Sequence, residues 1–295
     1  MIEILRTGPQ ATVQDTGRGG LGHLGVPSAG AMDLRALGQA NRLVGNSPEA
    51  AAIESLLGGL SVRFTTDVCF AITGAPVVAD VQGRPVDRNT WTYARSGEVL
   101  AVPGRPLYGL YSYLAVAGGV DVAPVLTSRS TDSLSGLGPP ALTAGDLLPI
   151  GTERGVPSEP GDVLVETATP DRALEVRFSW GPRHDWFTTA ARSRFASARW
   201  AVSSEVNRIA ARLTGPRLDL TREDQLPTEG VHPGSVQVPP SGQPLLFLAN
   251  HPPTGGYPVI AVVCDQDLPR ISQAPPGTML TMRPVRRTRL DEVTS

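Results

Sequence analysis

The chain has 295 residues with 26 basic and 28 acidic side chains, a formal charge of −2 that offers no basic footprint for nucleic acid. All 26 basic residues are arginine, which excludes a phosphate-loop lysine, a Schiff base, a Ser–Lys couple or a lysine-held biotin on this chain. With 32 Gly, 28 Pro and 40% apolar residues falling in strand-length runs, the composition predicts a loop-rich β protein of two domains, partly covered by a partner.

In chain order, Met1-Ile2-Glu3-Ile4-Leu5-Arg6 lacks the apolar core of a signal peptide. No later apolar run reaches the roughly 20 residues that span a bilayer, so a soluble, cytoplasmic protein without a membrane partner is expected. Ile2–Leu5 reads as the first strand. An irregular stretch, Val13 to Asp33, follows, rich in glycine with Gln, Asp, Arg, His and Ser between. Long irregular loops on compact domains are usually functional. Gly17, Gly19 and Gly22 match G-x-G-x-x-G, but His23-Leu24-Gly25-Val26-Pro27 cannot open a helix behind them, so a dinucleotide fold is rejected. A backbone nest for an anion survives as the weaker reading.

Asp33 is placed to cap a helix over Leu34–Val44, ended by Gly45. Strands are expected at Leu60–Phe64, Val68–Ile72, Val77–Val81, Val99–Val102 and Leu110–Ala117. A hydroxyl-rich loop, Thr127-Ser128-Arg129-Ser130-Thr131-Asp132-Ser133, comes next and could hold a carboxylate or phosphate. A Pro- and Gly-rich stretch puts a domain boundary near residues 155–172, giving domains over 1–160 and 170–287. Beyond it, Ala173–Phe178 reads as a strand. Ser203 or Ser204 would cap a second helix over Glu205–Leu213, with Val206, Ile209, Ala210 and Leu213 as its stripe. Both expected helices share an Asn-Arg-apolar step, which suggests a weak internal duplication. Strands at Leu245–Leu248, Val259–Val263 and Met279–Met282 complete the set, and Arg286 onward reads as a polar tail. Between the first two of these lies Asn250-His251-Pro252-Pro253-Thr254-Gly255-Gly256-Tyr257-Pro258, a site-building loop or a turn using Gly255 and Gly256 at positive φ.

His23, His184, His232 and His251 show no metal-ligand spacing, and Cys69 and Cys264 sit in apolar runs as buried thiols, so no metal site is expected. No G-x-S-x-G elbow occurs. The three loops therefore supply the candidates. Arg18, Asp33, Arg129 and His251 are the expected catalytic groups, with the guanidiniums of Arg18 and Arg129 stabilising a developing oxyanion. Gln14, Ser28, Ser128, Asp132, Thr254 and Tyr257 are the expected substrate-binding groups. Because Arg18 and Arg129 lie in loops, replacing either is expected to spare folding.

The block Thr12-Val13-Gln14-Asp15-Thr16-Gly17-Arg18 with Pro27-Ser28-Ala29-Gly30-Ala31-Met32-Asp33 resembles the biotin-dependent carboxyltransferase family, which includes the C subunit of 5-oxoprolinase and allophanate hydrolase subunit 2. Asn41-Arg42-Leu43-Val44-Gly45-Asn46, Tyr113-Leu114-Ala115-Val116-Ala117-Gly118-Gly119 and Gln237-Val238-Pro239-Pro240 extend the likeness over nearly the whole chain. The resemblance implies a mainly β fold of tandem cyclophilin-like β-barrels with one short helix each. It implies a subunit of an ATP-dependent hydrolase or carboxyltransferase, opening 5-oxoproline to glutamate or handling urea and allophanate. The implied partners are a subunit 1 or Kip-inhibitor-like protein, as a heterotetramer, and a third LamB/YcsF-like subunit. ATP would be used through the assembled complex, and biotin only if a partner chain carries it. The alternative is a regulatory module that antagonises a kinase-inhibitor-like partner.

Overall fold

The computed structural model describes residues 1–152, 155–158, 168–222 and 224–285. The chain divides into two compact units: Met1–Pro170 with Ala249–Pro253 and Pro269–Pro275, and Asp171–Leu248 with Thr254–Leu268 and Pro276–Ser295. The boundary expected near 155–172 falls largely on residues 159–167, and the expected tail on 286–295; both stretches lie outside the described residues.

The first unit is built on two sheets. The five-stranded sheet runs Gln10–Gln14, Ala52–Leu56, Tyr111–Val116, Val68–Gly74, Trp91–Ala94, with Val13 opposite Ile53 and Leu114 opposite Ile72. The six-stranded sheet includes Ile2–Thr7 paired with Leu60–Phe64. Alternation puts Ile2, Ile4, Val13, Ile53, Val62, Phe64 and Phe70 in one core, where the rings of Phe64 and Phe70 stack at 5.3 Å. Helix α1 (Leu34–Leu43) lies against Val68–Gly74 and Tyr111–Val116 and buries Ala36, Leu37, Ala40 and Leu43. Asp33 caps it as the sequence predicts, its carboxylate accepting from Ala36 N–H at 3.0 Å.

The second unit closes into a seven-stranded barrel, ordered Ala173–Trp180, Val259–Val263, Ser235–Gln237, Leu245–Phe247, Ala210–Thr214, Arg199–Val202, Met279–Pro284. The parallel pair Ala173–Trp180 with Met279–Pro284 shuts it, so no edge is left open in the ladder. Phe178, Phe195 and Trp200 are fully buried, with ring centres 5.1 and 5.9 Å apart along the series, and the Trp200 indole donates to Phe195 O at 3.0 Å.

All ten apolar runs expected as strands contain one, and the mainly β fold is borne out. The second helix is not where the sequence places it. Ala210–Thr214 is a strand, with Ala211 and Leu213 buried and Arg212 and Thr214 exposed. The Asn207 side chain accepts from the N–H groups of Ile209 and Ala210 at 2.8 and 3.1 Å, a local turn that competes with helix just where one was expected to run. The helix of this unit, α2 (Thr189–Ser197), comes earlier, and Thr188 caps it by accepting from Ala191 N–H. A third helix, α3 (Leu268–Ser272), was not foreseen. Asn41 sits in a helix and Asn207 in a turn, so their shared step does not mark equivalent elements.

Candidate functional site

Asp15 organises the first loop. Its Oδ1 accepts from Gly17 N–H at 2.8 Å and from the hydroxyls of Ser128 and Ser130 at 2.6 Å each, and its Oδ2 accepts from Arg129 N–H at 2.6 Å. One carboxylate thus ties the glycine-rich loop to the hydroxyl-rich loop. At 6% exposure it is well shielded, and a fully hydrogen-bonded buried carboxylate of this kind is strongly held. The Asp-x-Gly step of the sequence was the available signal for it, because an Asp side chain commonly caps the backbone two residues on.

Beside it lies a cleft of about 380 Å³ within the first unit, lined by Asp15, Glu49, Asp121, Arg129 and the backbone of Gly118, Gly119 and Gly151. Arg129 donates to Asp121 Oδ1 at 2.7 Å, and its buried Nε has no partner among the described residues. The Ser47 hydroxyl bonds Glu49 and holds its carboxyl below the ordinary range. Asn46, at the end of the block Asn41–Asn46, fixes the cleft's inner wall: its Nδ2 donates to Val116 O at 2.7 Å and its Oδ1 accepts from Gly118 N–H at 2.8 Å. Gly118 sits at φ +92°, and a Cβ there would lie 2.1 Å from Gly151 O, so this wall demands glycine.

The expected site residues separate into groups. Arg129 faces the cleft. Ser128 is buried behind it on Asp15. Arg18 does not line the cleft: at 1% exposure its Nε donates to Val125 O at 3.1 Å and its Nη2 to Ser130 O at 2.7 Å. Burial pulls its guanidinium below the ordinary value, with Asp132 and Asp15 opposing. The expectation that Arg18 can be replaced without touching the fold is therefore corrected: a loop residue it is, but a buried one whose donors hold two backbone carbonyls. Gln14 is the last residue of a strand, and its Nε2 donates to Thr12 Oγ1 and Thr131 O at 3.0 and 3.1 Å. Ser28 donates to Ala249 O at 3.4 Å.

Asp132 is held by Asn250 and by the backbone of Leu134 and Ser135. Burial raises its carboxyl, but these bonds outweigh it and the net shift is downward. Asp33 is fully buried: besides capping α1 it accepts from Gln273 Nε2 at 2.9 Å, and its N–H donates to the Tyr113 hydroxyl, which donates to Glu54. His251, 4% exposed, sits with Nδ1 2.6 Å from Pro252 O. Thr254 belongs to the second unit, in a two-residue strand paired with Glu229–Gly230. Tyr257, also in the second unit, is 47% exposed. Neither Gly255 nor Gly256 has a positive φ, so the turn does not use them in that way; a Cβ at Gly255 would meet the amide end of the Gln237 side chain at 2.3 Å. Sequence reasoning missed Asp15, Glu49 and Asp121.

Among the described residues no cluster of three or more His, Cys, Asp or Glu side chains could hold a metal, and no helix is long and apolar enough to cross a membrane.

The fold of two β units has known counterparts. Residues 24–284 match the family model described as carboxyltransferase domain, subdomain A and B, and the chain belongs to that family. It is 40% identical over 285 residues to the C subunit of 5-oxoprolinase from Escherichia coli strain K12, covering 94% of this chain and 89% of that protein. It is 35% identical over 291 residues to the C subunit of 5-oxoprolinase from Haemophilus influenzae, covering 97% of this chain and 91% of that protein. The crystal structure of K. lactis urea amidolyase superposes with a TM-score of 0.90 at 27% identity, over 97% of this chain but only 19% of that one.

Proposed function

We propose that this chain is the carboxyltransferase-fold subunit of an ATP-dependent amide-opening enzyme of the 5-oxoprolinase type, which converts 5-oxoproline to glutamate. The supporting observation is the 40% identity to the C subunit of 5-oxoprolinase, a match that spans 89% of that protein. In this reading the partners are a subunit 1-like protein and a LamB/YcsF-like protein. Carboxyl transfer of the urea amidolyase kind is the second reading; the TM-score of 0.90 favours it, with this chain corresponding to one module of a much longer protein.

The cleft suits an amide better than a nucleotide. Asp15, Glu49 and Asp121 face it against the single guanidinium of Arg129, already paired with Asp121. Three carboxylates to one guanidinium repel the several charges of a triphosphate far more than the single carboxylate of 5-oxoproline, so the residues do not fit ATP and no step is drawn through it on this chain. The carboxylate of Asp15 is saturated by its four bonds. Glu49 and Asp121 remain as acceptors for a lactam N–H, and the Arg129 guanidinium as a donor toward the carbonyl oxygen, where negative charge develops when water adds to the carbonyl carbon. As the C–N bond breaks, the departing nitrogen becomes an amine that takes up a proton. An acidic cleft favours the resulting ammonium over the uncharged lactam nitrogen it came from.

Co-expression with the two partner subunits tests the proposal. The expected result is one co-purifying complex that releases glutamate from 5-oxoproline only when ATP and this chain are both present. Full turnover by the partners alone would remove the chain from the reaction.

A further inference from the structure

The second unit contains a cavity of about 510 Å³, apart from the cleft and from every residue assigned to it above. Its floor is apolar: Leu218, Leu226 and Val238 line it and are 1%, 6% and 0% exposed. Trp186 and Tyr257 supply aromatic surface to the same cavity. The volume lies in the range of small-ligand pockets, about 300–1,000 Å³, and an apolar chamber with a few polar groups is their usual form.

The polar groups are unevenly committed. Arg217 is spent on the protein, donating to Pro240 O and Ser241 O at 3.0 and 3.1 Å and pairing with Asp219 at 3.4 Å. Asp219 also takes Arg194 at 3.5 Å. Arg222 differs. Its guanidinium carbon lies 4.9 Å from the centre of the Trp186 ring, and only its Nε is engaged, by Asp224 at 3.3 Å. Its terminal nitrogens have no bond to a described residue. The stack on Trp186 holds a planar fork of donors at the mouth of an apolar chamber. The described lining carries two guanidiniums, Arg217 and Arg222, and two carboxylates, Asp219 and Asp224, and of these four groups Arg222 keeps its terminal donors uncommitted.

We propose that this cavity binds a small ring-bearing carboxylate, its ring on the floor beside Trp186 and Tyr257 and its carboxylate on the Arg222 fork. A planar carboxylate matches two parallel N–H donors, and a neutral amide of the same shape does not. The inference is independent of the reaction proposed for the cleft, because it predicts binding rather than turnover. Two sources share this chemistry: a compact ring acid such as 5-oxoproline itself, or a larger aromatic acid acting as an effector.

Titration calorimetry of the purified protein, in whatever assembly it purifies, tests this with 2-naphthoate and 2-naphthamide as probes. The naphthoate is expected to bind at one site per chain, and the amide at least tenfold more weakly. Arg222→Gln should weaken naphthoate tenfold and leave the amide unchanged; the side chain is half exposed, and a melting curve verifies that the variant folds. Displacement of naphthoate by 5-oxoproline would support the compact acid as the source, and failure to displace would support the larger one. Equal binding of acid and amide, indifference to Arg222→Gln, or no heat up to millimolar naphthoate would each overturn the proposal.

Discussion

Asn250 Nδ2 donates to Asp132 Oδ1 at 2.7 Å, while Asn250 Oδ1 accepts from the N–H and hydroxyl of Ser133 at 3.2 and 3.3 Å. Both Asn250 and Asp132 are buried, at 0% and 2% exposure. An amide is the side chain that can donate to one neighbour and accept from the other, so this position selects Asn over Asp. Asn250→Asp puts two carboxylates together out of water and is expected to lower stability at pH 7 by about 2 kcal/mol or more. Urea denaturation of both proteins measures it; an unchanged midpoint would remove the pair from the stability of the unit.

The same bond predicts a pH dependence. The folded-state value of Asp132 is depressed, with burial raising it and the bonds from Asn250, Ser135 and Leu134 lowering it further. A depressed carboxylate contributes stability that is present above its unfolded value, about 3.9, and is lost as pH falls through the folded value. Thermal melts between pH 7 and pH 3 should show the wild-type chain losing stability on this acid limb. Asn250→Leu, which removes one donor, should start from a lower plateau and lose less over the same range.

Arg18→Lys is expected to destabilise the fold by about 1–3 kcal/mol, because one ammonium cannot reproduce the fork that holds Val125 O and Ser130 O. The midpoint of urea unfolding reads this out. A wild-type midpoint would mean the two carbonyls find other donors.

Gly118→Ala and Gly22→Ala should part company. At Gly118 the new Cβ would lie 2.1 Å from Gly151 O at φ +92°, whereas at Gly22 nothing lies within 4 Å. The first is expected to cost at least about 2 kcal/mol, and the second to change stability by no more than about 1 kcal/mol in either direction. Differential scanning calorimetry of the two variants separates them.

The sequence was legible where a side-chain period stood alone. Leu60–Phe64 and Val259–Val263 read as strands because apolar residues fill lengths too short for a helix. Ala210–Thr214 was misread because Val206, Ile209, Ala210 and Leu213 also fit a helical spacing; the Asn207 turn that decides against it is a side-chain-to-backbone bond with no periodicity of its own. Helix α2 escaped notice because only Ala191 and Phe195 of its nine residues are buried, too few for a stripe. In the site, the loops were recognisable by glycine and hydroxyl content. The division of labour within them was not, because Arg18 is turned inward by the carbonyls of Val125 and Ser130, more than 100 residues further along the chain.

The central claim is that the cleft holding Arg129 is where the assembled enzyme acts on its amide. Steady-state kinetics of the co-expressed complex with Arg129→Lys tests it most directly, since lysine keeps the charge and loses the planar donors. The expected kcat/KM for 5-oxoproline is at least tenfold lower, about 1.4 kcal/mol of transition-state stabilisation, with an unshifted melting temperature. Wild-type kcat/KM in that variant would contradict it.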